Sequence, residues 1–331
     1  MTTRRRFCTW GAGTLLLAGL GVRSSFAAEA RTLRLSHNLT TAHSVHQAMQ
    51  VMRDRVLELT DGTLSIDIYP NAQLGNQRES VELVQAGILD MAKTNASELE
   101  AFDPIFSLLN IPYLFESGEH YYRVLEGDIG RDILGATAGK GFRGLTYYDS
   151  GARGFYATRP IESPADLKNL KIRVQPSPTA IEMVELMGAS PTPLAFGDLY
   201  TALQQGVVDG AENNPTALVT ARHGEVAKFF TLDEHTRIPD MLVISEASWQ
   251  SLSSAHRRAL RLAAAESMAS QKAAWQSASD AAVSTAKEEM GVEFIEVDTA
   301  AFAERTRPIR DRVASQSSRA RRWIEAIEAQ A

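Results

Sequence analysis

"LQQGVVDGAENN", from Leu203 to Asn214, ends an apolar helix on a glycine, runs through a short apolar stretch and finishes on two amides. "VQAGILDMAKTN", from Val84 to Asn95, follows the same course. The two share the Gln, the Gly, the Asp and the Ala after it, and hydrophobicity matches at most other positions. Glycine after a helix suits a left-handed cap, and the apolar runs "ILDMA" and "VVDGA" read as strands leading into the polar loops "KTN" and "ENN". One reading is a chance likeness between two helix–Gly–strand units. The other is a pair of similar domains, each presenting an amide-bearing loop at the C-terminal end of a strand. Ligands of open α/β sheets sit at that edge, which favours the second.

The flanking sequence keeps this grammar. "RTLRLSHNL" (Arg31–Leu39) reads as a strand, Val45–Leu59 as an amphipathic helix, "DGTLSIDIYP" as a turn and strand, and "QRESVELVQAG" as a helix ending at Gly87. Further on, "LKIRVQ" reads as a strand, "TAIEMVELMGA" as a helix, "SPTPLAF" as an extended link and "GDLYTALQQG" as a helix. Alternating strands and helices predict an α/β protein with largely parallel sheets. From Ser254 to Met290 there is no Gly or Pro, which predicts one helix about 55 Å long, enough to lie across two domains. A late strand at Val292–Val297 and a final helix at Phe302–Ala329, interrupted at Pro308, complete the expectation.

At 331 residues the chain is long enough for two domains, with 44% hydrophobic and 22% charged residues. The first 27 residues read as an export signal: Arg4, Arg5 and Arg6, an apolar run from Gly11 to Val22, then small residues. The run is too short to span a bilayer, and "TRRRF" has the look of a twin-arginine signal. Its removal takes the only cysteine, Cys8, and moves the formal charge from −6 to −10. That excludes thiol chemistry and disfavours nucleic acid or anionic lipid as partners.

His37, His43 and His46 raise a metal reading, but their spacing is poor for zinc and no metal is expected. No cofactor motif and no nucleophile elbow occurs. The cations carry more. Arg173 alternates with Ile172 and Val174 in its strand, and Arg153 sits in "DSGARGFYAT" between two strand-like segments. Two arginines on adjacent strands could grip one carboxylate through their planar forks. Equally, they could form internal salt bridges with acids such as Asp166 or Asp209.

"GARGFY" at Arg153, "LKIRV" at Arg173, "GASPTPLAFGDLYTALQQGVVDGAENNP" and "YPNAQLG" together resemble the solute-binding proteins of tripartite ATP-independent periplasmic (TRAP) transporters, across nearly the whole chain. The resemblance implies a two-domain periplasmic binding protein of type II-like α/β fold, with a cleft between domains and a long helix spanning both. The division expected is 28–150 plus about 239–278, against 151–238 plus about 279–331. It also implies no enzymatic activity and delivery to small and large membrane subunits. By the same resemblance Arg173 grips the ligand carboxylate and Arg153 supports it. Asn213 bonds the ligand, Phe196 closes over it, Asn38 touches it from the first strand, and His235 lies near the hinge. Asn95 and Glu98 stand where sialic-acid binders carry Glu and Arg, which argues against sialic acid. Gln77, Asn95, Asn214, Glu79 and His37 complete the expected polar lining.

Amides around a single carboxylate anchor suit sugar hydroxyls, and "SHN", "DEHT" and "AENNP" look most like the uronate binders. A hexuronate such as glucuronate or galacturonate is therefore the expected ligand. A C4-dicarboxylate, another sugar or keto acid, a periplasmic enzyme and a sensor-feeding binding protein are the alternatives. Because an unpaired buried guanidinium is costly, the open form is expected to keep Arg173 wet.

Overall fold

The structure, a computed structural model, describes residues 30–331; the export signal expected at residues 1–27 lies outside them. Eleven strands among the described residues form two mixed sheets. The first joins β1 (Arg31–Ser36), β2 (Leu64–Tyr69), β3 (Met91–Asn95), β4 (Phe142–Tyr148) and β10 (Asp240–Ser245) in the order β2-β1-β3-β10-β4. The second joins β5 (Gly154–Ala157), β6 (Lys171–Val174), β7 (Ser190–Pro193), β8 (Gly210–Asn213), β9 (Phe229–Thr231) and β11 (Glu293–Ile295) in the order β11-β9-β5-β8-β6-β7. "SPTPLAF", expected as a link, contributes the edge strand β7. An edge is where a strand can carry two prolines without losing ladder bonds.

The echo between the two quoted stretches is a structural equivalence. β1 runs parallel to β2 and β3, and β6 runs parallel to β7 and β8. In each sheet the next neighbour is antiparallel: β10 on β3, and β5 on β8. Leu35 faces Met91 as Ile172 faces Gly210. Asp90 accepts the amide of Arg34 at 3.0 Å, and Asp209 accepts that of Lys171 at 2.7 Å. The carbonyl of Asp90 takes the amide of Ser245, while that of Asp209 takes the amide of Thr158.

Both strands begin three residues later than the apolar runs suggest. Ile88 and Val207 bond back to Leu83 and Ala202, closing Schellman caps whose left-handed residues are Gly87 and Gly206. The apolar residues read as strand starts are spent in the caps. The loops "KTN" and "ENN" in turn become largely strand, as Met91–Asn95 and Gly210–Asn213.

The chain crosses between the sheets three times. Residues 149–153 lead from β4 to β5, and residues 232–239 return from β9 to β10. The two crossings touch in an antiparallel bridge between Arg153 and Thr236. The third crossing is the helix Ser254–Glu288, 35 residues and about 52 Å long at 1.5 Å per residue. Its Leu260, Ala263 and Ala264 pack in the core of the first sheet, and its Ala286 packs with Phe230 of the second. Tyr148 bonds Ser267, and the Gln271 amide holds the backbone of Asp149 at both ends, tying the first crossing to this helix. The final helix does not break at Pro308. It runs Thr299–Gln316 through the proline and restarts at Ser318, where the Ser317 hydroxyl accepts the amide of Ala320. No helix among the described residues is long and apolar enough to cross a membrane.

Candidate functional site

The C-terminal ends of β1, β3, β6 and β8 converge on a cavity between the sheets. Asn38, Gln77, Lys93, Asn95 and Asp240 line it from the first sheet's side. Arg153, Gln175, Phe196, Asn213 and Asn214 line it from the second, and Trp275 of the long helix joins them. The inner cavity is narrow, about 50 Å³, and adjoins a wider opening of about 500 Å³ bounded by Asn38, Gln77, Arg78, Glu98 and Phe196.

Arg173 does not itself reach the cavity surface. It lies on β6, two residues before Gln175, and it is 0% exposed. The guanidinium is thus dry in the arrangement seen here, while the wet state expected of Arg173 belongs to an open one. Its Nε and Nη2 both donate to the Leu194 carbonyl, at 2.9 and 2.7 Å, and its Nη1 is buried without a partner. No carboxylate among the described residues stands within salt-bridge distance. Burial lowers the pKa of the guanidinium, and the charge of Glu212 offsets part of that. The internal-salt-bridge alternative holds for Arg153, which pairs with Glu212, and not for Arg173; Asp209 holds the Lys171 amide and Asp166 caps the turn at Ser163.

Arg153 is placed differently. β8 lies between β5 and β6, so the two arginines are not on adjacent strands. Its Nε pairs with Glu212 at 2.6 Å and its Nη1 bonds the Asn213 side chain at 2.8 Å. Behind Glu212 stands His235, at 3.4 Å, which bonds Asp233 at 2.8 Å. His235 is wholly buried and stands outside the lining of this cavity; it braces the second crossing. Burial opposes its charge, but Asp233 and then Glu212 raise its pKa to about 9. Burial alone would raise the Glu212 carboxyl, yet Arg153 and His235 bring it down to about 2.

On the first sheet's side Lys93 pairs with Asp240 at 2.8 Å and donates to Gln77 at 3.4 Å. Asn95 gives its amide nitrogen to Asp240, and its oxygen caps Ser97. Asn214 caps Thr216 in the same way and donates to Ser150. The side-chain carbonyl oxygens of Asn38 and Gln175 are buried without partners. Phe196, half-buried in the turn Phe196–Asp198, meets the His223 ring edge-on at 5.4 Å between centroids.

Two expected lining residues are elsewhere. Glu79 is exposed and completes a capping box with Asn76, accepting its amide at 2.8 Å. His37 is turned away, its Nε2 against His46 Nδ1 at 2.9 Å and its Nδ1 on the Leu39 amide. Burial, then the charge of His46, lowers its pKa to about 3. Among the described residues no group of three or more His, Cys, Asp or Glu gathers at metal-ligand geometry. Asp240, Gln175, His43, Ser150 and Trp275 are lining residues that the sequence does not assign. Glu98 is buried at the wider opening; burial raises its carboxyl pKa against the pull of Arg173 and Lys93.

Two sheets joined by crossing segments, with polar side chains of both converging on a cavity between them, define a two-lobed ligand-capture protein. The profile of the family described as bacterial extracellular solute-binding protein, family 7 (DctP), matches residues 35–317, and the chain belongs to that family. The Salmonella typhimurium protein YiiZ is 40% identical over 297 residues, covering 89% of this chain and 90% of its own. A TRAP periplasmic solute-binding protein from Anaerococcus prevotii, crystallised with α/β-D-glucuronate, is 34% identical with a TM-score of 0.88, over 90% of this chain and 97% of that one. Its counterpart from Xanthobacter autotrophicus, with bound β-D-galacturonate, is 35% identical with a TM-score of 0.87, over 90% and 99%. The chain is thus a solute-binding protein of the TRAP type, a non-enzymatic transport component for small organic acids.

Proposed function

We propose that this protein captures a hexuronate, D-glucuronate or D-galacturonate, in the periplasm and delivers it to the small and large TRAP membrane subunits. One observation carries the ligand class. Of the three buried cations around the cavity, Arg153 and Lys93 already hold carboxylates, and Arg173 alone keeps a buried donor without a partner. Opposite it in character stand two unpartnered acceptors, Asn38 Oδ1 and Gln175 Oε1. One free cationic donor with free acceptors suits a solute with one carboxylate and several hydroxyls. A C4-dicarboxylate brings a second anion with no free cation to meet it. The bound sugars of the Anaerococcus and Xanthobacter proteins support the same class.

In this reading Arg173 takes the carboxylate from behind Gln175 and Phe196. Arg153, Asn213 and Asn214 bracket it, while Asn38, Gln77 and Asn95 meet the hydroxyls. Capture moves residues 28–150 with about 239–278 against 151–238 with about 279–331, about the crossings at 149–153 and 232–239. The export signal at residues 1–27 takes the chain to the periplasm by the twin-arginine route.

Thermal shift and calorimetric titration of the purified mature protein test the proposal with D-glucuronate, D-galacturonate, succinate and malate at equal concentration. Binding to the native state alone raises the melting temperature. The uronates are expected to give the larger shift; a larger one with succinate or malate overturns the ligand while the family stands.

A further inference from the structure

The equivalence of the two sheets extends into the cavity wall, where it reverses polarity. Continuing the registers of β3 on β10 and of β8 on β5 sets Lys93 against Glu212 and Asp240 against Arg153. Each sheet therefore carries one buried ion pair in the same place, with the signs exchanged. Ser36 occupies the place of Arg173, so the first sheet's half of the site has no free guanidinium.

We propose that Asp240, held by Lys93, is the specificity-determining residue that receives the uncharged, hydroxylated end of the ligand and turns away a second carboxylate; this rests on the hexuronate reading. An ionised carboxylate has about four acceptor positions. Asp240 spends one on Lys93 at 2.8 Å and one on Asn95 at 3.2 Å, which leaves acceptors for hydroxyl donors at the cavity surface. A ligand carboxylate in the same place meets a like charge in a desolvated pocket, and that repulsion selects against it. Lys93 offers no relief, because its charge is already matched.

The test titrates galacturonate and galactarate into three proteins. Galactarate has the same carbon chain with a second carboxylate at the far end. Its comparison across variants cancels the difference between ring and open chain. The wild type is expected to prefer galacturonate by about a hundredfold or more. Asp240→Asn exposes the Lys93 charge, and is expected to weaken galacturonate roughly tenfold and tighten galactarate roughly tenfold. The double variant Lys93→Gln with Asp240→Asn removes both charges, and with the repulsion gone it is expected to take galactarate better than wild type but less well than Asp240→Asn. It also serves if the single variant does not melt cooperatively. An unchanged ratio in folded Asp240→Asn overturns the inference, as does a double variant that takes galactarate no better than wild type, since the gain would then come from the freed Lys93 charge alone. Wild type that binds both acids equally overturns it too, while leaving the uronate reading in place. Wild type that binds neither removes the uronate reading and this inference with it.

Discussion

Asp240 stands in the first sheet where Arg153 stands in the second. Asp240 faces Asn95 across the ladder, and Arg153 lies one residue before Gly154, which faces Asn213. The same relation sets Asn38 against Gln175, Gln77 against Phe196 and Asn95 against Asn214, all at the cavity surface. A repeated scaffold would by itself make a cavity with two like ends. Difference at a few of its paired positions makes the ends chemically distinct, with a guanidinium at Arg173 and a hydroxyl at Ser36. On the proposed reading, that difference gives a sugar acid one preferred orientation.

Arg173→Ala is expected to abolish tight binding. Removing one partner of a desolvated, hydrogen-bonded ion pair costs about 3–5 kcal/mol, roughly a hundred- to several-thousand-fold in dissociation constant. The ligand-free protein should melt near wild type. The variant loses the bonds to the Leu194 carbonyl but also sheds a buried charge that has no carboxylate. Arg173→Lys should bind poorly as well, since a point charge lacks the fork. Calorimetry on both variants checks this; near-wild-type affinity for Arg173→Ala would remove it as the anchor.

Arg153→Ala is expected to act first on the fold. Its guanidinium neutralises Glu212, which in turn holds His235 at the second crossing. Deleting it leaves a buried carboxylate short of its main partner, at a cost of about 3–5 kcal/mol. The melting temperature of the ligand-free variant should fall well below that of Arg173→Ala. A variant that melts with wild type and loses only affinity would make Arg153 a ligand contact and not a brace.

The legible parts of this chain are those whose cause is local. Gly87 and Gly206 declare their caps, and the likeness around them declares a repeat. Arg173 is visible because a guanidinium interrupts an apolar alternation. The strand starts at Met91 and Gly210 were misplaced because cap residues and strand residues are both apolar. Glu79 carries its own local signal, Asn76 followed three residues later by Glu, which marks a capping box and not a cavity residue. Asp240 and Trp275 had no local signal. Their place in the cavity depends on the chain returning to the first sheet after the second is built, and on a helix crossing both.

Asn38 and Gln175 are expected to contribute comparably to binding, because they occupy equivalent positions and each buries an unpartnered carbonyl oxygen. Asn38→Ala and Gln175→Ala should each weaken the best uronate by about 1–2 kcal/mol, roughly five- to thirtyfold. Neither should lower the melting temperature of the ligand-free protein, since a truncated unsatisfied acceptor removes a desolvation cost. Titration of the two variants side by side reads this; a loss confined to one of them would mean that only one lobe meets the hydroxyls.

Stability is expected to peak near pH 6.5 and to fall on both sides for different reasons. His235 has its pKa raised from 6.5 to about 9. The folded state then binds more protons than the unfolded state between those values, so its contribution is complete below about 6.5 and lost as pH rises through 9. His37, His43 and His223 are lowered by burial to about 3, 4 and 3. Their contribution is present above 6.5 and is lost as pH falls towards those values, joined below about 4.5 by that of Glu212. The alkaline limb amounts to on the order of 3 kcal/mol for a shift of this size. Thermal melts of wild type and His235→Gln from pH 5 to 9 separate the two limbs. The variant should start from a lower melting temperature, because Glu212 and Asp233 lose their shared cation, and should then stay flat from 6.5 to 9. A variant curve that falls as steeply as wild type over that range would assign the alkaline limb to other groups and leave His235 without its bracing role.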